Sequence, residues 1–404
     1  MELRNWPRRN DPDSIRARQE ALRALADGEV FEHELSPWAR AQEALTGIAV
    51  IPVSVIGPLT IELGEYELTE PAGDVVEVGR AAEEIFVPLA HTEGGLSASV
   101  YRGARAAADS GGFRTYLLAD RITRASCFVC KSARDAVTLA RWLPAELPAL
   151  QRWLADSDDP SLSRFARLRG VKTHVVGPMC HALWRWTTGD AVGPNMMTRN
   201  SYLLNMGYVM ERAPVRPERA FLEANMGGDK KPSYEYFQSG HGKTVLAECT
   251  LTEGAVRRVL RTTVDDLLEL AWAGTHGSAA SGMQSVAFTP ASAVAAIFGA
   301  TGQDLGMVGT SSMAHGVPRR TEDGLQVSIR FPGLEVATVG GGTTLPYARS
   351  WLALMGCSGP GKVYRFAQIV AGAALALEIS ASAAMATAGS REFFKAHHER
   401  GGLR

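Results

Sequence analysis

The sequence predicts an α+β protein in which a small unit of strands and helices is inserted into a larger, helix-rich one. Three observations carry that prediction. The 404 residues exceed what a single core usually fills. The make-up, 46% hydrophobic and 21% charged, is that of an ordinary globular chain. Between about residues 125 and 218 the texture runs strand, helix, strand, strand, helix and then a short strand, the order of a ferredoxin-like split β-α-β unit. The expected division is 1–124 with 219–404 for the large domain and 125–218 for the insert.

Each element has a local reason. A helix is expected from about Ser14 to Ala26. "IAVIPVSVIGPLTIEL" reads as extended chain punctuated by Pro52 and Pro58. "GLSASVYRGARAAADSGG" sets Leu96, Val100, Ala104 and Ala107 on one helical face and stops at Gly111-Gly112. In the insert, "ASCFVC", "FARLRGVKTHVVG" and "HALWRWTT" read as strands, with "RAFLEAN" as a further short one. "SARDAVTLARWL" and Asn195–Arg212 read as helices. After it, Val256, Val259, Leu260, Val264, Leu267, Leu268 and Ala271 recur at three and four, and Thr250 with Glu253 offers a capping box for one amphipathic helix. The remainder alternates small-residue helices with tight loops such as "TVGGGTT".

Charge and cysteine usage exclude several classes. Forty-two basic against 43 acidic residues, a net charge of −1, argue against a nucleic-acid binder. Five cysteines do not suggest a disulfide framework; Cys127 and Cys130 form a C-x-x-C, but on a strand-like stretch with no second pair at zinc spacing. The N-terminus has no apolar run of the secretory kind. The apolar stretch 369–389 is alanine-rich and carries Glu378, so it reads as a buried helix, not a membrane span. A cytoplasmic protein without a membrane partner is expected.

Common catalytic motifs are missing. "GHGKT" lacks a P-loop's first glycine, its position being Phe237. No G-x-G-x-x-G links a strand to a helix, and no Gly-x-Ser-x-Gly elbow occurs. Four places remain: Glu93 in "HTEGG", the Asp229-Lys230-Lys231 run in "GGDKKP", Asp304 in "GATGQDLG", and His397 with His398 in "FFKAHHER". Singly, each reads as well as a cap carboxylate, a solvated turn, a helix-end acid or a tail histidine.

Together they resemble the hydroxymethylglutaryl-CoA reductase family, through "FVPLAHTEGGLSASVYRGARA", "SRFARL", "GDAVGPNMM", "GDKKP", "GHGKTVLAE", "GQD" and "TVGGGT" in that order. The resemblance implies a four-electron reduction of an acyl-CoA thioester to a primary alcohol, most simply of 3-hydroxy-3-methylglutaryl-CoA to mevalonate. It implies Lys230 as the ammonium that stabilises charge on the reacting carbonyl oxygen, Glu93 as proton donor to the alkoxide, Asp304 as their link, and His397 (or His398) as the acid for the departing thiolate. Arg124, Asn225, Asp229 and Lys231 are implied to bind substrate. Ser163, Arg164 and Phe165 with Asp190, Ala191, Val192, Gly193 and Asn195 are implied to bind NADPH, or NADH, with Arg164 favouring the 2′-phosphate. No metal is implied. A homodimer with a shared site, or a higher oligomer, is implied too, with neither a membrane anchor nor a long C-terminal helical domain.

The sequence departs from the family pattern around the substrate's carboxylate. Glu223 stands where the family has serine and Ala273 where it has lysine. "FTPAS", with Ser292, replaces an amide-bearing segment, and Met307-Val308 replaces Gln-Asn. The expectation is either that Glu223 turns away, or that a different acyl-CoA is reduced, or that a non-catalytic relative binds acyl-CoA or nucleotide.

Overall fold

The computed structural model describes residues 9–22 and 34–387. Its spine is β3 (Phe113–Val129), a 17-residue strand shared by two sheets. Ahead of it lie α1 (Pro12–Leu22), β1 (Val53–Leu68), β2 (Val75–Ala90) and α2 (Leu96–Ala108). The insert then supplies α3 (Ala133–Ala145), α4 (Leu147–Asp156), β4 (Arg167–Val176), β5 (Met179–Thr187), α5 (Pro194–Leu203), α6 (Met210–Arg212) and β6 (Arg219–Phe221), a π-helical stretch (Leu204–Val209) joining α5 to α6. There follow α7 (Tyr234–Ser239), β7 (Gly242–Thr252), α8 (Glu253–Ala255), α9 (Val264–Ser281), α10 (Pro290–Thr301), α11 (Val308–Ser311), β8 (His315–Thr321), β9 (Gly324–Leu334), α12 (Pro346–Leu354) and α13 (Val363–Ala386).

The first half of β3 joins the order β2-β1-β3-β7-β9-β8, antiparallel except where β1 meets β3. Its second half pairs with β5 and β6, and β5 with β4, so the order β4-β5-β3-β6 is that of a split β-α-β sheet. The α+β expectation with a ferredoxin-like insert holds. Each part has its own core: Trp184, Trp186, Phe128 and Leu139 belong to the smaller one, while Phe113, Phe298, Phe331 and Phe366 belong to the larger.

Helix α13 is the one helix among the described residues long and apolar enough to cross a membrane, yet it is mostly buried, packed on α2 and β7. Its Glu378 carboxylate accepts from the N–H groups of Phe288 and Thr289 at 2.8 and 2.9 Å, at the entrance to α10, where a carboxylate suits the unpaired amides and helix dipole. Where α2 crosses α13, a Cβ on Gly103 would lie 1.8 Å from the carbonyl oxygen of Ala376. Gly103→Ala is therefore expected to cost about 3 kcal/mol of unfolding free energy by urea titration, because two backbones must part.

Three sequence expectations are corrected. The single helix expected over Val256–Ala271 is two: α8 continues as a π-helical stretch to Leu260, breaks at left-handed Arg261 (φ 59°), and α9 restarts with Thr263 accepting from Asp266 N–H. Thr263-x-x-Asp266 is a second start signal inside the apolar run. The cap of α8 is Thr252, since Thr250 lies within β7. Finally, the supposed helix-and-loop region after Asp304 contains the β8–β9 hairpin.

Candidate active site

The loop after β6 is built from unusual backbone. Asn225 and Lys230 both hold positive φ (63° and 57°), a conformation costly for residues with a Cβ, and Gly228 (φ 69°) turns the chain between them. Lys231 N–H closes this turn on the Gly228 carbonyl at 2.8 Å. The result aims Lys230 at the turn following α10, where its Nζ lies 2.8 Å from Asp304 Oδ2. Asp304 is fixed in turn: its Oδ1 accepts from Gly306 N–H at 2.9 Å. The hydrogen bond that Lys230 donates to Asp304 holds its ammonium above the ordinary range, against a smaller opposing effect of burial. Both side chains remain nearly half exposed, as a group awaiting a ligand must be.

Arg124, on β3, lies behind this pair and is 9% exposed. Its guanidinium is 2.9 Å from Glu223 Oε2 and 3.3 Å from Asp229 Oδ2. Glu223 also accepts from Asn225 N–H at 2.7 Å, which holds it in place. The arginine expected to grip a substrate carboxylate thus already holds two carboxylates.

Deeper still are two groups that sequence reasoning missed. His241 and Glu335 are both fully buried, with Nε2 and Oε1 3.3 Å apart. Burial pushes the His241 imidazole down to about 4 and the Glu335 carboxyl well above its usual range. Asp229, His241 and Glu335 present ligand atoms within 4.8 Å of one another, close enough for a metal ion. The donor chemistry opposes one. Thr123 N–H donates to His241 Nδ1 at 3.3 Å, which leaves the ring hydrogen on Nε2, the atom that would ligate. The Arg124 cation on Asp229 adds repulsion. No sequence signal links these residues; only the β7–β9 register, which pairs Lys243 with Leu334, brings them together.

Glu93 lies between β2 and α2 and is exposed, with no side-chain hydrogen bond or ion pair among the described residues. Just before it, His91 Nε2 contacts Ser97 Oγ at 2.7 Å, which ties the end of β2 to the first turn of α2. The structure therefore unites Lys230 with Asp304 and Asp229 with Arg124, while Glu93 makes no hydrogen bond or ion pair with any of them among the described residues. His397 and His398 lie outside the described residues. Lys231 is exposed, and Ala273 is exposed on α9. Further along α2, Arg102 and Arg105 meet Arg258 and Arg261 around a cleft of about 190 Å³, a densely cationic lining.

In the insert, Asn200 of α5 clamps the Ser163 loop, accepting from Ser163 N–H at 2.9 Å and donating to the carbonyls of Ser163 and Ala166. Ser163 and Arg164 line a cleft of about 420 Å³ with Arg167, Arg169 and Glu70. Glu70 pairs with both Arg167 and Arg169, and Arg164 donates to the carbonyls of Leu154 and Ala155, so a phosphate here would compete with Glu70 for two of the three arginines. Phe165 is 77% exposed, available for stacking. The second loop is pinned by Thr188 Oγ1, within 2.9 Å of the carbonyls of Ala191 and Val192, and Gly193 (φ 86°) opens α5 with Asn195 exposed in its first turn. Asp190, expected to contact cofactor, spends its carboxylate on the N–H groups of Gly361, Lys362 and Val363 at the start of α13.

Comparison with known proteins agrees with this arrangement. Residues 14–401 match the family described as hydroxymethylglutaryl-coenzyme A reductase. A protein named 3-hydroxy-3-methylglutaryl-coenzyme A reductase from Pyrococcus horikoshii is 39% identical over 353 residues, 85% of this chain and 80% of that one. One of the same name from Aeropyrum pernix is 35% identical over 375 residues, 91% of this chain and 83% of that one. Among solved structures, the class II 3-hydroxy-3-methylglutaryl-CoA reductase from Streptococcus pneumoniae bound to NADPH in open conformations shares the fold, with a TM-score of 0.66 at 16% identity, covering 93% of this chain and 83% of that chain. The chain belongs to the hydroxymethylglutaryl-coenzyme A reductase family.

Proposed function

We propose that this chain reduces 3-hydroxy-3-methylglutaryl-CoA to mevalonate, acting in the cytoplasm as a homodimer. The observation that carries the reading is the Lys230–Asp304 pair at 2.8 Å: a cation held in fixed geometry, still open to solvent. Each reduction step places negative charge on the substrate's carbonyl oxygen. A preoriented ammonium stabilises that charge without reorganising when it forms. NADPH, when bound, supplies the hydride. Ser163, Arg164 and Phe165, with the loop from Asp190 to Asn195, are the residues proposed to hold it.

Glu93 is the proposed proton donor to the alkoxide, and His397 or His398 the donor to the thiolate. Lys231 and Asn225 are proposed to line the acyl group. The arginine cleft suits the phosphates of CoA. It lies on the same helix that follows Glu93, about 14 Å along the axis for the nine residues from Leu96 to Arg105 at the usual helical rise. Met283, Phe288 and Val317, exposed around an apolar cleft of about 340 Å³, support the homodimer.

A second reading has a specific observation in its favour. Arg124 is already shared by Glu223 and Asp229, so a substrate carboxylate approaching it meets two like charges. At about 4 Å each repulsion is worth about 4 kcal/mol at an effective dielectric near 20. On this reading the acyl group carries no free carboxylate. The two readings separate on purified wild type and Glu223→Ser, assayed with hydroxymethylglutaryl-CoA and with a neutral acyl-CoA of similar size. Preference of the wild type for the charged substrate supports the first reading. Preference for the neutral one, with Glu223→Ser raising kcat/KM for hydroxymethylglutaryl-CoA by about tenfold or more, supports the second. Turnover of neither refutes both.

A further inference from the structure

Behind Lys230, three buried polar atoms have no hydrogen-bond partner: Asp229 Oδ1, His241 Nε2 and Glu335 Oε1. A ring nitrogen of His241 and one carboxylate oxygen each from Asp229 and Glu335 lie within 4.8 Å of one another. Buried orphans in one place call for a physical account. His241 Nε2 bears the ring hydrogen, as Thr123 N–H already fills Nδ1, and Glu335 Oε1 lies 3.3 Å from it. That leaves Asp229 Oδ1, an acceptor, beside a second carboxyl. Two carboxylates sharing one dry site do not both ionise; one takes a proton and the repulsion becomes a hydrogen bond. The Arg124 guanidinium stands 3.3 Å from Asp229, whereas among the described residues no lysine or arginine ion-pairs with Glu335, whose close contacts are the Thr310 hydroxyl at 2.7 Å and the His241 ring at 3.3 Å.

The position of Glu335 gives this proton a consequence. Its backbone N–H donates to Ser311 Oγ at 3.0 Å and its side chain accepts from Thr310, both on α11, immediately after the turn that carries Asp304. On its other side stands Asp229, the neighbour of Lys230. Glu335 therefore bridges the two segments whose meeting forms the Lys230–Asp304 pair. Lys230 needs such support, because its left-handed backbone is disfavoured for any residue with a Cβ.

We propose that Glu335 is a positioning residue: held as the neutral acid between His241 and Asp229, it donates a hydrogen bond to Asp229 and so fixes the strained turn that presents Lys230 to Asp304. The charged and titratable groups around it are Asp229 and Lys230 from the loop, Asp304 from the turn before α11, His241 just ahead of β7, Tyr236 from α7 and Arg124 from β3. Burial, the largest effect, with Asp229 and Asp304 favours the proton on Glu335; the Thr310 hydroxyl and Lys230 oppose it.

The test compares Glu335→Gln and Glu335→Ala in the whole protein, with two readouts. The activity readout rests on the reading of the site proposed above; the stability readout does not. An amide reproduces the neutral donor, so Glu335→Gln should lose less than about tenfold in kcat, while Glu335→Ala loses about a hundredfold at little changed KM, as expected for a displaced catalytic group. Because the folded protein binds this proton more tightly than the unfolded chain, wild-type stability falls as pH rises from the ordinary carboxyl range toward the raised folded value. The melting temperature of Glu335→Gln should therefore gain on wild type across that window. If Glu335→Gln loses as much activity as Glu335→Ala, or its melting temperature tracks wild type at every pH, Glu335 acts as a carboxylate and the proposal fails. Should no form turn over any acyl-CoA, the functional reading fails while the melting comparison still decides the proton's place.

Discussion

Lys230→Ala lowers kcat by about two to three orders of magnitude and leaves KM nearly unchanged, the pattern for removing a group that acts on charge developed only in the transition state. The side chain is anchored to meet that charge, with its Nζ 2.8 Å from Asp304, and Asp304 is itself capped onto Gly306 N–H. The same variant costs little stability. An ion pair with both partners more than 40% exposed contributes at most about 1 kcal/mol. A large loss of turnover with a nearly unchanged melting temperature therefore marks a chemical role. The pH dependence gives a second signature. Asp304 is the main cause of the raised Lys230 ammonium, so in Asp304→Asn the alkaline limb of kcat shifts to lower pH. In wild type the cation persists to higher pH than an ordinary lysine.

The largest effect on stability is expected at a different lysine. Lys243, at the start of β7, and Asp120, on β3, are almost fully buried and 2.7 Å apart. Tyr364 Oη donates to the other Asp120 oxygen at 2.9 Å, and Lys243 Nζ also reaches the Gly189 carbonyl at 3.3 Å. The pair thus ties β3, β7, α13 and the loop leading to Gly193 at one point. Lys243→Met strands the Asp120 charge in a dry site and should cost about 3–5 kcal/mol in denaturant unfolding. Adding Asp120→Leu removes the stranded charge and should recover much of the loss. A double variant as unstable as the single would mean that packing around the lysine stem, not the unpaired charge, sets the cost.

The parts of the site legible in the sequence are those encoded in short blocks. "GGDKKP" and "GATGQDLG" point to Lys230 and Asp304, and the fold joins them. Helix α2 and the strands of the insert are also legible, because apolar spacing and turn residues agree there. Other features depend on contacts distant in sequence. His241 reads as part of a failed P-loop and Glu335 carries no local signal at all, yet strand pairing makes them neighbours. Strand β8 carries Pro318 and two arginines, as suits a sheet edge, and this masks its strand character. Strand β2 includes the helix-favouring run "RAAEE", which its long pairing with β1 overrides. The motif around Asp190 points to the cofactor, whereas its carboxylate serves the first turn of α13, a partner no local pattern reveals. Glu223 is legible as an anomaly, and its tie to Arg124 shows where that anomaly acts.

The claim on which the rest depends is that one Lys230-centred site carries a thioester all the way to an alcohol. Counting NADPH consumed against CoA thiol released, with hydroxymethylglutaryl-CoA and the neutral acyl-CoA as substrates, tests it most directly. The account predicts two NADPH for every thiol on whichever substrate is accepted, and loss of both signals together in Lys230→Ala. One NADPH per thiol, or NADPH oxidation without thiol release, would contradict it.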